Sequence, residues 1–133
     1  MEKAKTISIN IAVIAIIAII LLWGNTLYRQ HVQFGKGEKA LAAGDQIAAI
    51  AGYESAIHMY TPGSSLVNRA AENLWAIGQE AEQRGDIERA LIAYRSLRSS
   101  FYAIRGLTSP GTEWIRRCEE KINQLLQISS RHQ

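Results

Sequence analysis

From Ile7 to Trp23 the chain carries no charged residue, and only Ser8, Asn10 and small alanines interrupt its isoleucines, valine and leucines. A stretch of this kind has few places to go, because a bilayer accepts it as a single helix whose backbone polar groups are satisfied internally. A helix from Thr6 to Leu27 has ~22 residues and rises ~33 Å, which matches the hydrocarbon core. The membrane helix is therefore placed at 6–28, after a short basic N-terminus at 1–5 that holds Lys3 and Lys5. Asn10 and Asn25 fall near the two interfaces, and Trp23 and Tyr28 suit the aromatic belt on the exit side. A cleaved signal peptide is the rival reading, since Lys3 and Lys5 also make a basic leader. Cleavage wants small residues at two positions just past the apolar run, and Leu22-Trp23-Gly24-Asn25-Thr26 places bulky groups there, which favours a retained anchor. Lys3, Lys5 and the terminal amine favour a cytoplasmic N-terminus; Arg29, Lys36 and Lys39 beyond the helix weaken that bias. In a bacterial cell this topology gives a single-pass inner-membrane protein with a periplasmic C-terminal domain.

Past the anchor, charged residues return at ordinary density. Of 133 residues, roughly 100 remain after Trp23, enough for one small domain of four or five helices. The net charge of +3 is small and mixed in sign, which argues against a nucleic-acid partner. The single cysteine, Cys118, has no internal disulfide partner and falls on an apolar helix face, where it reads as a small buried hydrophobe. The three histidines, His31, His58 and His132, have no ligand spacing between them, so no metal is expected. GxxxxGK[ST], GxSxG, HExxH and CxxC are all missing, so neither a cofactor nor an enzymatic activity is expected.

The soluble part repeats itself. Phe34, Gly37, Ala40, Gly44, Asp45, Ala49 and Tyr53 recur as Trp75, Gly78, Ala81, Gly85, Asp86, Ala90 and Tyr94, each 41 positions on. Each unit reads as two helices joined at Gly-Asp: the glycine ends one helix in a left-handed conformation and the aspartate caps the next. In the second unit Leu66, Ala70, Leu74, Ile77 and Ala81 run down one face, then Ile87, Ala90, Leu91, Tyr94, Leu97 and Phe101 point inward. In the first unit Ile47, Ile50, Tyr53, Ile57 and Tyr60 do the same. Thr61-Pro62-Gly63-Ser64 and Ser109-Pro110-Gly111-Thr112 read as helix starts with a hydroxyl cap and proline at the first position. After them Leu66, Arg69, Glu72 and Leu74 correspond to Trp114, Arg117, Glu120 and Ile122, 48 positions on. The last helix, about 110–128, presents Trp114, Ile115, Cys118, Ile122, Leu125 and Leu126 and closes the array, leaving a flexible tail at 129–133.

The arrangement Ile77-Gly78, Ala81, Gly85, Ala90 and Tyr94 resembles a tetratricopeptide repeat, and Gly37, Ala40, Gly44, Ala49 and Tyr53 match it more loosely, with Lys36 where an apolar residue is usual. The resemblance covers roughly residues 33–101, and the period exceeds the family's ~34 residues. It implies an all-α fold: one N-terminal transmembrane helix, then a tetratricopeptide-like domain at 29–128 made of two divergent helical hairpins and a capping helix. The two hairpins either form the family's concave groove or close into a compact bundle.

Two surfaces are candidates for contact. Arg95, Arg98, Tyr102 and Arg105 share one face if their helix continues, and suit a protein partner or lipid headgroups; the plainer reading is a solvated face with arginines paired to Glu88 or Glu82. In the anchor, Ala12, Ala15 and Ala18 make a small-residue stripe suited to packing against another membrane helix. The function expected is a membrane-anchored adaptor for protein partners, either a membrane complex or further copies of the chain. The alternative is an accessory or assembly subunit of a transport or energy-coupling complex, held mainly through its membrane helix.

Overall fold

A computed structural model describes residues 1–132. It contains five helices and, among the described residues, no strand: α1 (Glu2–Ala42), α2 (Gln46–His58), α3 (Leu66–Gln83), α4 (Ile87–Ala103) and α5 (Thr112–Arg131). The all-α expectation holds.

The apolar N-terminal segment and the first helix of the domain are a single 41-residue helix. Nothing breaks it: both prolines of the chain lie elsewhere, at Pro62 and Pro110. Its most apolar window reaches a mean hydropathy of 2.6 with none of its residues buried, so α1 is long and apolar enough to cross a membrane. Residues 1–25 are all exposed, and the upper part of α1 enters the domain through buried Gln30, Phe34 and Gly37.

Consecutive helices pack against each other, α1 on α2, α3 on α4 and α4 on α5, while α2 lies against both α3 and α4. The two Gly-Asp turns are built alike. Gly44 and Gly85 have φ of +79° and +73°, a region that glycine enters without a Cβ clash. The amides of Asp45 and Asp86 each donate to a carbonyl of the preceding helix, Ala40 and Ala81, at 2.9 Å. Their carboxylates then accept from Ala48 N and Arg89 N, each at 3.0 Å. Every one of these partners except Ala48/Arg89 matches in residue type, and all lie 41 positions apart.

The hairpin interiors are equally parallel. Tyr53 packs beside Gly37 and Tyr94 beside Gly78, both tyrosines fully buried. Each ring leans on the aromatic residue one turn before that glycine: Phe34–Tyr53 at 5.5 Å and Trp75–Tyr94 at 4.9 Å between centroids. Each hydroxyl is satisfied by a carboxylate, Tyr53 donating to Glu38 and Tyr94 to Glu82.

Four expectations need correction. Helices α3 and α5 begin at Leu66 and Thr112, and neither has a side-chain cap. The preceding glycines, Gly63 and Gly111, have φ of +85° and +75°, so each Pro-Gly pair forms the middle of a turn instead of a first helical turn. Ile47 and Tyr60 are 51% and 36% exposed: Ile47 lies in the first turn of α2, and Tyr60 falls beyond its end at His58. Leu126 is also exposed, with Leu125 taking the inward position. The tail is shorter than expected, since α5 continues through Ser129 and Ser130 to Arg131, with Arg131 in a last turn that favours a cation; Gln133 lies outside the described residues.

Candidate interaction surface

Helices α1, α3 and α5 are stitched together by cations over rings. The Arg69 guanidinium of α3 lies 4.7 Å from the Phe34 centroid on α1, and the Arg117 guanidinium of α5 lies 4.2 Å from Trp75 on α3. Arg117 also covers Trp114, 4.6 Å away. One turn further on, Asn73 donates to Glu38 at 2.9 Å, and Lys121 reaches Glu82 at 3.0 Å. The correspondence of Arg69 with Arg117, 48 positions apart in sequence, therefore has a physical meaning: each arginine caps the aromatic residue of the preceding unit.

Helix α4 places the basic-aromatic residues differently from one another. Arg95 and Tyr102 are exposed and Arg98 is half-buried beside them, at spacings that share a face. The helix stops at Ala103, so Arg105 does not extend that face. It turns back instead, its guanidinium 4.4 Å from the Tyr102 ring centroid. The Tyr102 hydroxyl donates to Glu119 of α5 at 2.9 Å, and that bond raises its pKa above the ordinary tyrosine value. Pairing of the α4 arginines to Glu88 or Glu82 does not form; Glu82 is taken by Tyr94 and Lys121. Among the described residues, Arg84, Arg89 and Arg116 have carboxylate partners, whereas Arg95 and Arg98 have none within 4.0 Å.

The junction between apolar helix and domain is closed by Gln30, a residue sequence reasoning did not single out. Fully buried, it donates to the Ala56 carbonyl of α2 at 3.0 Å and accepts from the Ser64 hydroxyl at 2.6 Å. It looks in sequence like one more polar residue past an anchor; its partners are 26 and 34 positions away, and only folding brings them together. Ala12, Ala15 and Ala18 stand exposed on α1 with the rest of the apolar segment.

Cys118 is fully buried, and burial pushes its thiol up to about 12, far from the thiolate form a nucleophile needs. Among the described residues no three His, Cys, Asp or Glu side chains gather as a metal ion would require. A shallow groove between α1 and α2 is lined by Gln33, Lys36, Ala48 and Gly52, without a carboxylate or cysteine. The geometry defines an all-helical protein with one helix able to cross a membrane. Compared with protein-family models, with curated proteins and with solved structures, the chain matches none.

Proposed function

We propose that the chain is a membrane-anchored adaptor, in which α1 crosses the bilayer and a tetratricopeptide-like domain holds a protein partner at the α4 surface. The observation that carries this reading is the pair Arg95 and Arg98, two guanidiniums on one helix face with no carboxylate within 4.0 Å among the described residues, whereas Arg84, Arg89 and Arg116 reach carboxylates and Arg69, Arg105 and Arg117 lie over rings. Desolvating an arginine costs free energy unless the contact supplies an acceptor, so the fitting partner presents carboxylates. The tetratricopeptide-like assignment rests on two units 41 positions apart with the same Gly-Asp turn, the same small residue under a buried tyrosine and the same aromatic lean. A bacterial inner membrane with the domain in the periplasm is the accompanying topology, supported by Lys3 and Lys5 ahead of the apolar run.

The test is copurification of the full-length chain from its native membranes. Arg95→Glu with Arg98→Glu should remove the partner, and Arg95→Glu alone, at the exposed position, should weaken it while leaving the melting temperature unchanged, since reversal of an exposed charge alters recognition more than folding. A second reading has its own observation: Ala12, Ala15 and Ala18 lie exposed on the part of α1 that stands outside the domain. It makes the protein an accessory subunit of a transport or energy-coupling complex. In that case the charge reversal is silent and Ala15→Leu releases the partner, by blocking close helix approach.

A further inference from the structure

The direction of every helix relative to α1 follows from cross-helix contacts. Gln30 meets Ala56 while Gly37 meets Gly52 and Tyr53, so α2 runs back toward the apolar segment. Ser64 meets Gln30, Arg69 meets Phe34 and Asn73 meets Glu38, so α3 runs away from it. Gln46 pairs with Arg89 and Glu54 with Ser96, which sets α4 parallel to α2. The connections 59–65 and 104–111 therefore both lie at the end of the domain from which the apolar helix leaves.

That end is close to where the bilayer begins. Buried Gln30 lies only seven positions beyond Trp23 on unbroken helix, a rise of ~10 Å. The headgroup zone beyond each face of the hydrocarbon is itself ~6 Å thick, half the difference between the full bilayer and its core. The chemistry of this end suits such a place. Leu107, at the tip of the second connection, is wholly exposed, and Tyr28, Tyr60 and Tyr102 are 70%, 36% and 42% exposed around it. Tyrosine at this depth can keep its hydroxyl in water and its ring among acyl carbons. The cations here, Arg29, Arg98 and Arg105, have no carboxylate within 4.0 Å among the described residues. The nearby carboxylates are engaged: Glu54 by Ser96 and close to His58, Glu113 by Arg116, and Glu119 by Tyr102.

We infer that this end of the domain rests on the same bilayer that α1 crosses, with Leu107 inserted at the interface and Arg105 on the headgroups of anionic phospholipid. The inference rests on the membrane-spanning reading of α1 and adds a second point of attachment. One helix alone leaves the domain free to tilt about its exit point; a second contact through the 104–111 connection fixes the tilt and so decides which way α4 faces. An arginine near an anionic surface is attracted to it, and the attraction falls with salt.

The full chain, with Cys118→Ala and a nitroxide on a cysteine at one chosen position, is reconstituted into phosphatidylcholine vesicles with or without phosphatidylglycerol. Collisional access to oxygen, which partitions into lipid, is compared with access to a water-soluble nickel complex. Labels at Ile14 and at Glu88, on the opposite end of α4, supply lipid and water references. With phosphatidylglycerol present, a label at Leu107 should show an oxygen-to-nickel ratio several-fold above that at Glu88. Arg105→Glu, or omission of phosphatidylglycerol, should bring it down toward the Glu88 value. A Leu107 label as water-exposed as Glu88 while the Ile14 label lies in lipid overturns the inference and leaves the anchor standing. An Ile14 label in water overturns the anchor itself. Insertion of Leu107 that ignores both lipid charge and Arg105→Glu overturns the role given to anionic headgroups.

Discussion

At the scale of single residues, glycines decide how closely α1 and α2 can lie. A Cβ on Gly52 would stand 2.5 Å from the backbone nitrogen of Gly37, an atom that can move only if the whole helix moves. Gly35, on the same helix as Gly37, has nothing within 4 Å of where its Cβ would be. Gly52→Ala should therefore destabilise the full chain in detergent, on the order of 2 kcal/mol for overpacking, whereas Gly35→Ala should stabilise it by ~0.5–1 kcal/mol through helix propensity. Equal melting temperatures for the two variants would contradict the packing described. The buried hydroxyls and thiol add a pH signature. Burial, reinforced by Glu38 and Glu82, raises the pKa of Tyr53 and Tyr94, and burial raises Cys118 to about 12. In all three the folded state holds its proton to higher pH than the unfolded state. Their contribution is complete below the unfolded values, ~8.5 for cysteine and ~10 for tyrosine, and declines as pH climbs through and above them. Thermal melts should be flat from neutral pH to about 8.5 and then fall, and Cys118→Ala should delay the onset of that fall.

At the scale of elements, the two hairpins show what a sequence can and cannot disclose. The 41-position repeat was legible because turn chemistry and close packing each demand particular residues: glycine where φ is positive, aspartate at the cap, a small residue beneath a tyrosine ring. Helix starts at Pro62 and Pro110 misled, since a hydroxyl residue before proline, Thr61 or Ser109, reads as a cap until the next glycine proves left-handed. The basic-aromatic face was legible through Tyr102 and not beyond, because nothing periodic marks Ala103 as the end of α4. Gln30 was invisible for a further reason: burial of a polar side chain is set by partners remote in sequence. The same packing makes a prediction about the second hairpin. Tyr94→Ala leaves a cavity and should cost ~3 kcal/mol, and Ala90→Leu overpacks a fully buried site and should cost ~1–3 kcal/mol. Ser99→Ala and Gln83→Ala, both on exposed side chains, should change the melt by less than about 0.5 kcal/mol. If all four variants melt together, the inward faces assigned to α3 and α4 are wrong.

At the scale of the whole molecule, the membrane segment is not a tether. Helix α1 passes from apolar residues into the domain core without proline, turn or unsatisfied backbone, and Gln30 bonds it to α2 and to the α2–α3 connection where it enters. A flexible linker would let the domain search for partners in any orientation; a continuous helix fixes α4 relative to the apolar segment, and the contact inferred for the 104–111 connection then sets its bearing on the bilayer. The adaptor reading depends on that stiffness, since Arg95 and Arg98 can serve a membrane-bound partner only if they face it. The direct measurement is the distance between spin labels at Ile19, within the apolar segment, and Glu88, at the far end of the domain, taken by pulsed electron resonance on the full chain with Cys118→Ala in bilayers. A single narrow distance distribution, unchanged when Gly24 is replaced by alanine, is the expected result. A broad distribution that narrows with Gly24→Ala would show a hinge just above the membrane and contradict the account.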